Sequence, residues 1–281
     1  MRRFWSSVGW LGMMVLGISL ARGLPETVVL RFADLSPPSA LPAQIPFAAP
    51  EPDAPAVPAA DWLRQQGWEK TWPKLLFGKG IDLFLAGPPT QRYLRVSADE
   101  AYAVWSRRLS VEPQQLPILD ITWAVERFPY EAALDRAGRN DRAIAVVVSF
   151  GPEVRSGGLQ PNVPRGLALF WGETETVGAT YTCIPPRQGP ADERLQCIYP
   201  HVKYIALRRG GAGAVHTDSV NLLELFRQQF PDYWQAHQQV PPVVGVSVEA
   251  RSDRTQSLAV ARLYALVFRS TTEGRAEKRT P

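Results

Sequence analysis

Apolar and polar positions alternate in short runs along most of this chain, and the runs predict strands. The densest lies at 141–150. There Ile144, Val146, Val148 and Phe150 fill one alternating set, and Ala143, Ala145 and Val147 the other. A strand that is apolar on both sets is buried on both faces, so this one is expected at the centre of a sheet. Residues 117–125 before it and 166–172 after it complete a trio of core strands. Further strands are predicted at 27–32, 81–85, 92–96, 101–111, 181–184, 195–198, 202–208, 243–249 and 258–268. Gly87-Pro88-Pro89, the glycine-rich 209–213 and the polar 251–256 read as turns.

Helical periodicity is clear only once. Residues 219–230 place Val220, Leu223, Phe226 and Phe230 on one face, with Ser219 or Asp218 as cap and Pro231 as stop. A short helix with Asp61 as N-cap and Gly67 at its end is also expected. About ten strands, one packed helix near 219–230 and no strand–helix alternation define the class. It is mainly β, an antiparallel two-sheet sandwich.

The flanks have a different texture. In residues 1–23, Arg2 and Arg3 precede an apolar stretch at 4–20. Ser19-Leu20-Ala21 or Ala21-Arg22-Gly23 then offers a small-x-small cleavage site, as in a secretory signal peptide. The alternative is an uncleaved inner-membrane anchor formed by 4–20, since about 17 apolar residues sit at the short limit for a bilayer. The chain is therefore expected to be exported, periplasmic or secreted, and to touch the membrane only through this segment if it stays uncleaved. Residues 24–60 read as a short strand and a Pro/Ala-rich linker, with eight prolines and eight alanines between 36 and 60. Such a segment favours an extended polyproline-like tether. The sandwich is assigned to 61–269, and the charged 270–281 to a disordered tail.

Composition changes this picture little. At 45% hydrophobic and 21% charged, the 281 residues are ordinary for a globular protein. The net charge of +4 owes two units to Arg2 and Arg3. No basic run with interleaved aromatics occurs, so nucleic acid is excluded as a partner. The two cysteines, Cys183 and Cys197, predict a disulfide in an exported chain. Closing that loop would stabilise the fold by about 3 kcal/mol. Free or metal-binding thiols are the alternative, but two Cys without paired His do not make a zinc site. No metal or cofactor is expected.

Candidate chemistry is sparse. His201, His216 and His237 belong to no spaced motif, and no nucleophile elbow or phosphate loop occurs. Asp120 and Glu126 share a strand face but lie about 20 Å apart, too far for a hydrolytic pair. No catalytic residue is assigned. Among nine tryptophans, Trp123 and Trp171 read as core, and Trp105, before Ser106-Arg107-Arg108, is the candidate stacking platform for a sugar. Asp141 and Arg142 at a strand entry, with Asp253 and Thr255 in a turn, either cap loops or line a ligand site at the sandwich edge.

Several landmarks occur in a fixed order. They are Gly67-Trp68, the strand with Leu119, Ile121 and Trp123, Asp141-Arg142 leading into 143–150, and the strand at 167–171. The helix 221–230, Pro241-Pro242, Val244-Gly245-Val246 and the Thr-containing turn 249–255 complete the series. In that order they resemble the bacterial exported domain-of-unknown-function family 3047 (DUF3047), over residues 67–268. The resemblance implies a secreted or periplasmic jelly-roll-like sandwich, similar to carbohydrate-binding modules, without a known reaction or known functional residues. Where that family's last turn is more acidic, this chain has Ala250, Arg251, Ser252 and Arg254. The expected function is an exported, non-catalytic sandwich that binds a glycan or another envelope ligand. The alternative is an assembly protein that holds a protein partner in the envelope. An envelope polysaccharide hydrolase ranks last.

Overall fold

The structure is a computed structural model and describes residues 27–31, 56–72, 79–88, 91–136, 138–156, 162–182 and 199–271. The signal or anchor at 1–23, most of the linker, the strand at 195–198, both Cys183 and Cys197, and nearly all of the tail lie outside the described residues. Among the described residues, no helix is long and apolar enough to cross a membrane.

The first half of the chain forms β1 (Thr27–Arg31), β2 (Val57–Pro58), α1 (Ala60–Gln65), β3 (Trp68–Trp72) and β4 (Asp82–Ala86). It continues through β5 (Tyr93–Asp99), β6 (Tyr102–Val111) and β7 (Ile118–Arg127). Then come β8 (Arg142–Val154), β9 (Val163–Gly172), β10 (Thr180–Tyr181), β11 (Val202–Arg209) and β12 (His216–Asn221). The chain ends with α2 (Leu222–Gln229), α3 (Pro231–His237), β13 (Val243–Arg251) and β14 (Leu258–Arg269).

These strands make two seven-stranded sheets. The first runs β12-β7-β14-β5-β4-β2, with β1 also on β14, and the second β10-β11-β9-β8-β13-β6-β3. The mainly β sandwich is therefore the fold. The strand at 141–150 does become a central one, β8, held between β9 and β13. Its expected companion β7 lies in the opposite sheet. One pairing departs from the antiparallel scheme: β11 runs parallel to β9. A parallel neighbour needs a long return, and residues 173–201 supply it.

The core fills the space between the sheets. Leu119, Ile121 and Trp123 of β7, with Leu263, Leu266 and Phe268 of β14, face Ile144, Val146, Val148 and Phe150 of β8 and Leu167, Leu169 and Trp171 of β9. All are buried, and each aliphatic or Phe side chain contributes roughly 1.5–3 kcal/mol by leaving water. The Trp123 and Trp171 rings meet at 6.0 Å, so both fill the core as expected.

The helical segments differ from expectation. Residues 219–221 extend β12, pairing with β7 through Ser219 opposite Asp120 and Val220 opposite Leu119. Sheet pairing overrides helical periodicity there, and the helix starts at Leu222. Its cap is Asn221, whose side chain accepts the N–H groups of Leu223 and Glu224 at 3.1 Å each. Pro231 ends α2 and also opens α3, where a missing N–H costs nothing. Asp61 is not the cap of α1. Ala59 takes that place without a side-chain bond, and Asp61 pairs with Arg64 one turn on. Besides β1 on β14, sheet pairing also reaches into the Pro/Ala-rich segment. Val57 and Pro58 pair with β4, and the Ala59 N–H donates to the Leu83 carbonyl at 2.8 Å. An edge strand tolerates Pro58 because nothing need accept from its nitrogen.

Candidate functional site: the outer face of the second sheet

Alternation along β13 sends Val246, Val248 and Ala250 into the core and Ser247, Glu249 and Arg251 to the other face. Register extends this face across the sheet. Arg251 stands opposite Tyr102 on β6 and Arg142 on β8. Glu249 stands opposite Val104 and Ala145, and Ser247 opposite Ser106 and Val147. Beyond β8, Phe170, Ala168 and Tyr204 continue the rows.

Two groups of polar side chains organise this floor. The first is a ladder of hydroxyls over three strands. Thr71 Oγ1 lies 2.9 Å from Ser106 Oγ, which lies 2.8 Å from Ser247 Oγ. The second is a buried charge pair, Arg142 with Glu249, only 3% and 4% exposed. Arg142 donates to the Asn140 carbonyl at 3.1 Å and to the Tyr204 hydroxyl at 3.2 Å, and its guanidinium lies 4.6 Å from the centre of the Tyr204 ring. That hydroxyl donates in turn to Glu249, 3.3 and 3.4 Å from its two oxygens. The small Ala168 and Ala145 on the intervening strands leave room for Tyr204 to reach across. Its ring packs on a secondary cluster of Leu134, Ala145, Phe170 and Ala206.

Leu134 explains why β8 is apolar on both faces. The loop after β7 folds back over the sheet and lays Leu134 on Ala145. Glu175 pins this cover by accepting the Leu134 N–H at 3.0 Å and the Thr174 N–H at 3.2 Å. Gly172 permits the approach, since a Cβ there would sit 2.2 Å from a Glu175 oxygen.

The end of the floor is closed by the turn before β14. Asp141 accepts the Thr255 N–H at 2.6 Å, the Thr255 hydroxyl at 2.8 Å and the Arg254 N–H at 3.3 Å. Arg251 bonds Asp253 at 2.6 Å, lies 3.5 Å from Asp141, and stands 4.8 Å from the centre of the Tyr102 ring. Burial lifts the Asp141 carboxyl above its ordinary range, against the pull of the Thr255 bonds and Arg251. Burial likewise pushes the Tyr102 phenol far up, so it stays neutral.

Four of the sequence candidates, Asp141, Arg142, Asp253 and Thr255, thus gather at this end of the sheet. Trp105 does not join them. It lies on the inward face of β6, 6% exposed, with Arg64 6.0 Å from its ring centre. Ser106, not Trp105, takes the outward position, so the stacking platform expected at Trp105 is absent. Besides the fully buried Phe170, the floor's aromatic groups are Tyr102 and Tyr204. Sequence reasoning missed both, along with Thr71, Ser106 and Ser247. The Ser247-x-Glu249-x-Arg251 alternation was a readable signal for the outward face of β13. Nothing local to residue 204 announced its partners.

Other polar groups are engaged elsewhere. Asp120 and Glu126 lie on the outer face of the first sheet, paired with Arg269 and Arg262. His201 lies in the turn before β11, is 8% exposed, and its Nε2 has no hydrogen-bond partner among the described residues. Among the described residues no group of three His, Cys, Asp or Glu side chains is placed to hold a metal ion.

No curated protein matches the sequence. Solved structures with a similar fold include the xyloglucanase domain of NopAA, a type three effector from Sinorhizobium fredii, in complex with cellobiose. It is 11% identical, with a TM-score of 0.35, covering 71% of this chain and 90% of that one. Another is a thermostable cellulase derived from Cel12A of Rhodothermus marinus. It is 12% identical, with a TM-score of 0.30, covering 72% of this chain and 93% of that one. Values this low transfer no activity. The family described as "Protein of unknown function (DUF3047)" matches residues 83–267, well over half of the chain, including β5 to β13 and nearly all of β14. The chain belongs to the DUF3047 family.

Proposed function

We propose that this chain is an exported, non-catalytic sandwich that binds a glycan on the outer face of its second sheet. The observation that carries the reading is the Thr71–Ser106–Ser247 hydroxyl ladder, set in the same floor as Tyr102 and Tyr204. A sugar offers hydroxyls along its edge and an apolar ring face, and a strip of hydroxyls with aromatic groups complements both. The charge pair beneath holds Tyr204 in place rather than reacting. Glu249 is tied to Arg142 and Tyr204, and Asp141 to Thr255, so neither is free to act as the acid or nucleophile of a glycosidase pair. Export rests on the residues of 1–23.

The test is a panel of envelope and plant polysaccharides presented to the full mature chain and to its Tyr204→Ala variant. Binding that Tyr204→Ala weakens supports the reading. Absence of any glycan, together with one stable envelope protein in a pull-down, would favour the assembly role. Turnover of a polysaccharide would overturn the non-catalytic assignment.

A further inference from the structure

A concave site lies away from the sheet floor, where α2, α3 and the segment entering β13 meet. It is a pocket of about 320 Å³, lined among others by Gln114, Leu223, Arg227, Trp234, His237 and Gln239. That volume is at the lower end of the roughly 300–1,000 Å³ range of ligand sites. Its chemistry is uneven. Two basic side chains contribute to the lining and no acidic one does. Among the described residues, Arg227 makes no hydrogen bond and no ion pair. It lies over Trp234, whose ring centre is 4.1 Å from the guanidinium carbon. A stacked guanidinium keeps its N–H edge open, and that fork matches a carboxylate. His237 stacks on Tyr233 at 4.2 Å and forms no hydrogen bond among the described residues. Gln114 is oriented by donating to the Val240 carbonyl at 2.8 Å. The Gln239 amide is unused among the described residues and serves hydroxyl groups as donor or acceptor. Half-buried Trp234 and Leu223 supply an apolar wall.

We propose that this pocket binds an acidic sugar, a hexuronate unit, with its carboxylate on Arg227 and its ring against Trp234 and Leu223. The site shares no residue with the sheet floor, so the two readings succeed or fail separately.

The experiment is calorimetric titration of the full mature chain with glucuronate, glucose, acetate and inorganic phosphate, repeated with Arg227→Gln and Tyr204→Ala. Glucuronate is expected to bind at least about ten-fold more tightly than glucose or acetate, and Arg227→Gln to remove that preference. Tyr204→Ala is expected to leave glucuronate binding unchanged. Arg227 is exposed on α2, so Arg227→Gln should fold, and its thermal transition checks this. Failure of glucuronate to bind overturns the proposal. So does glucose binding equally well, phosphate binding as tightly as glucuronate, or binding that survives Arg227→Gln.

Discussion

Arg142 and Glu249 are a buried ion pair in a sheet whose other face is the core, and their worth depends on each other. Arg142→Met leaves Glu249 buried and unpaired, and should cost about 3–5 kcal/mol in chemical denaturation. The double variant Arg142→Met/Glu249→Leu should recover most of that loss, since an apolar pair carries no stranded charge. A double variant as unstable as Arg142→Met would show that the pair adds stability beyond mutual neutralisation. His201 makes a second prediction at this scale. Burial, then the nearby Arg165 and Lys203, hold its imidazole below the ordinary value, against a hydrogen bond with the Val163 backbone. The unfolded chain therefore takes up the proton first. Stability from this site is full above about pH 6.5 and is lost as pH falls through the depressed folded value. Thermal unfolding between about pH 7.5 and 5.5 should show a falling midpoint, and His201→Gln should flatten that fall.

At the scale of elements, alternation was the most informative signal. It located β5 to β9 and β13 to β14, because inward positions on a half-buried strand must be apolar whatever lies on the other face. It misplaced what depends on partners far along the chain. Val220 fits a helix face equally well, and only Leu119 on β7 decides that it belongs to a strand. The cap moved with that boundary. Asn221→Ala should cost about 1 kcal/mol, while Ser219→Ala should cost helix α2 nothing. Gly172 shows a related limit. It looks like an ordinary strand end, yet its missing Cβ makes room for Glu175 and thereby for Leu134. Gly172→Ala should loosen the loop cover and raise hydrogen exchange at the Leu134 amide, leaving the core strands protected.

For the molecule as a whole, two sheets give two outer faces; both carry hydroxyls and tyrosines, and the deeply buried ion pair sets the second apart. The first carries arginine–carboxylate pairs at its surface, Asp120 with Arg269 and Glu126 with Arg262. The second carries hydroxyls, tyrosines and one deeply buried pair. Of the candidate site, Asp141, Arg142, Asp253 and Thr255 were legible because a charge at a strand entry and a polar turn stand out in an apolar run. Tyr204 was not, because it meets Arg142 only through the register of three strands and the unusual parallel placement of β11. Trp105 misled for the opposite reason. The polar residues after it suggested a surface, whereas parity along β6 turned it inward.

Ser106 is the middle rung of the hydroxyl ladder proposed to recognise a glycan on the second sheet. The measurement is the affinity of the full mature chain, by titration calorimetry, for the polysaccharide it retains best, compared with that of Ser106→Ala. Measurable binding is expected that falls about ten-fold in the variant, while the thermal midpoint drops by only about 2–4 °C as Thr71 and Ser247 lose a partner. A polysaccharide bound equally by both proteins, or none bound by the unaltered chain, would contradict the proposal.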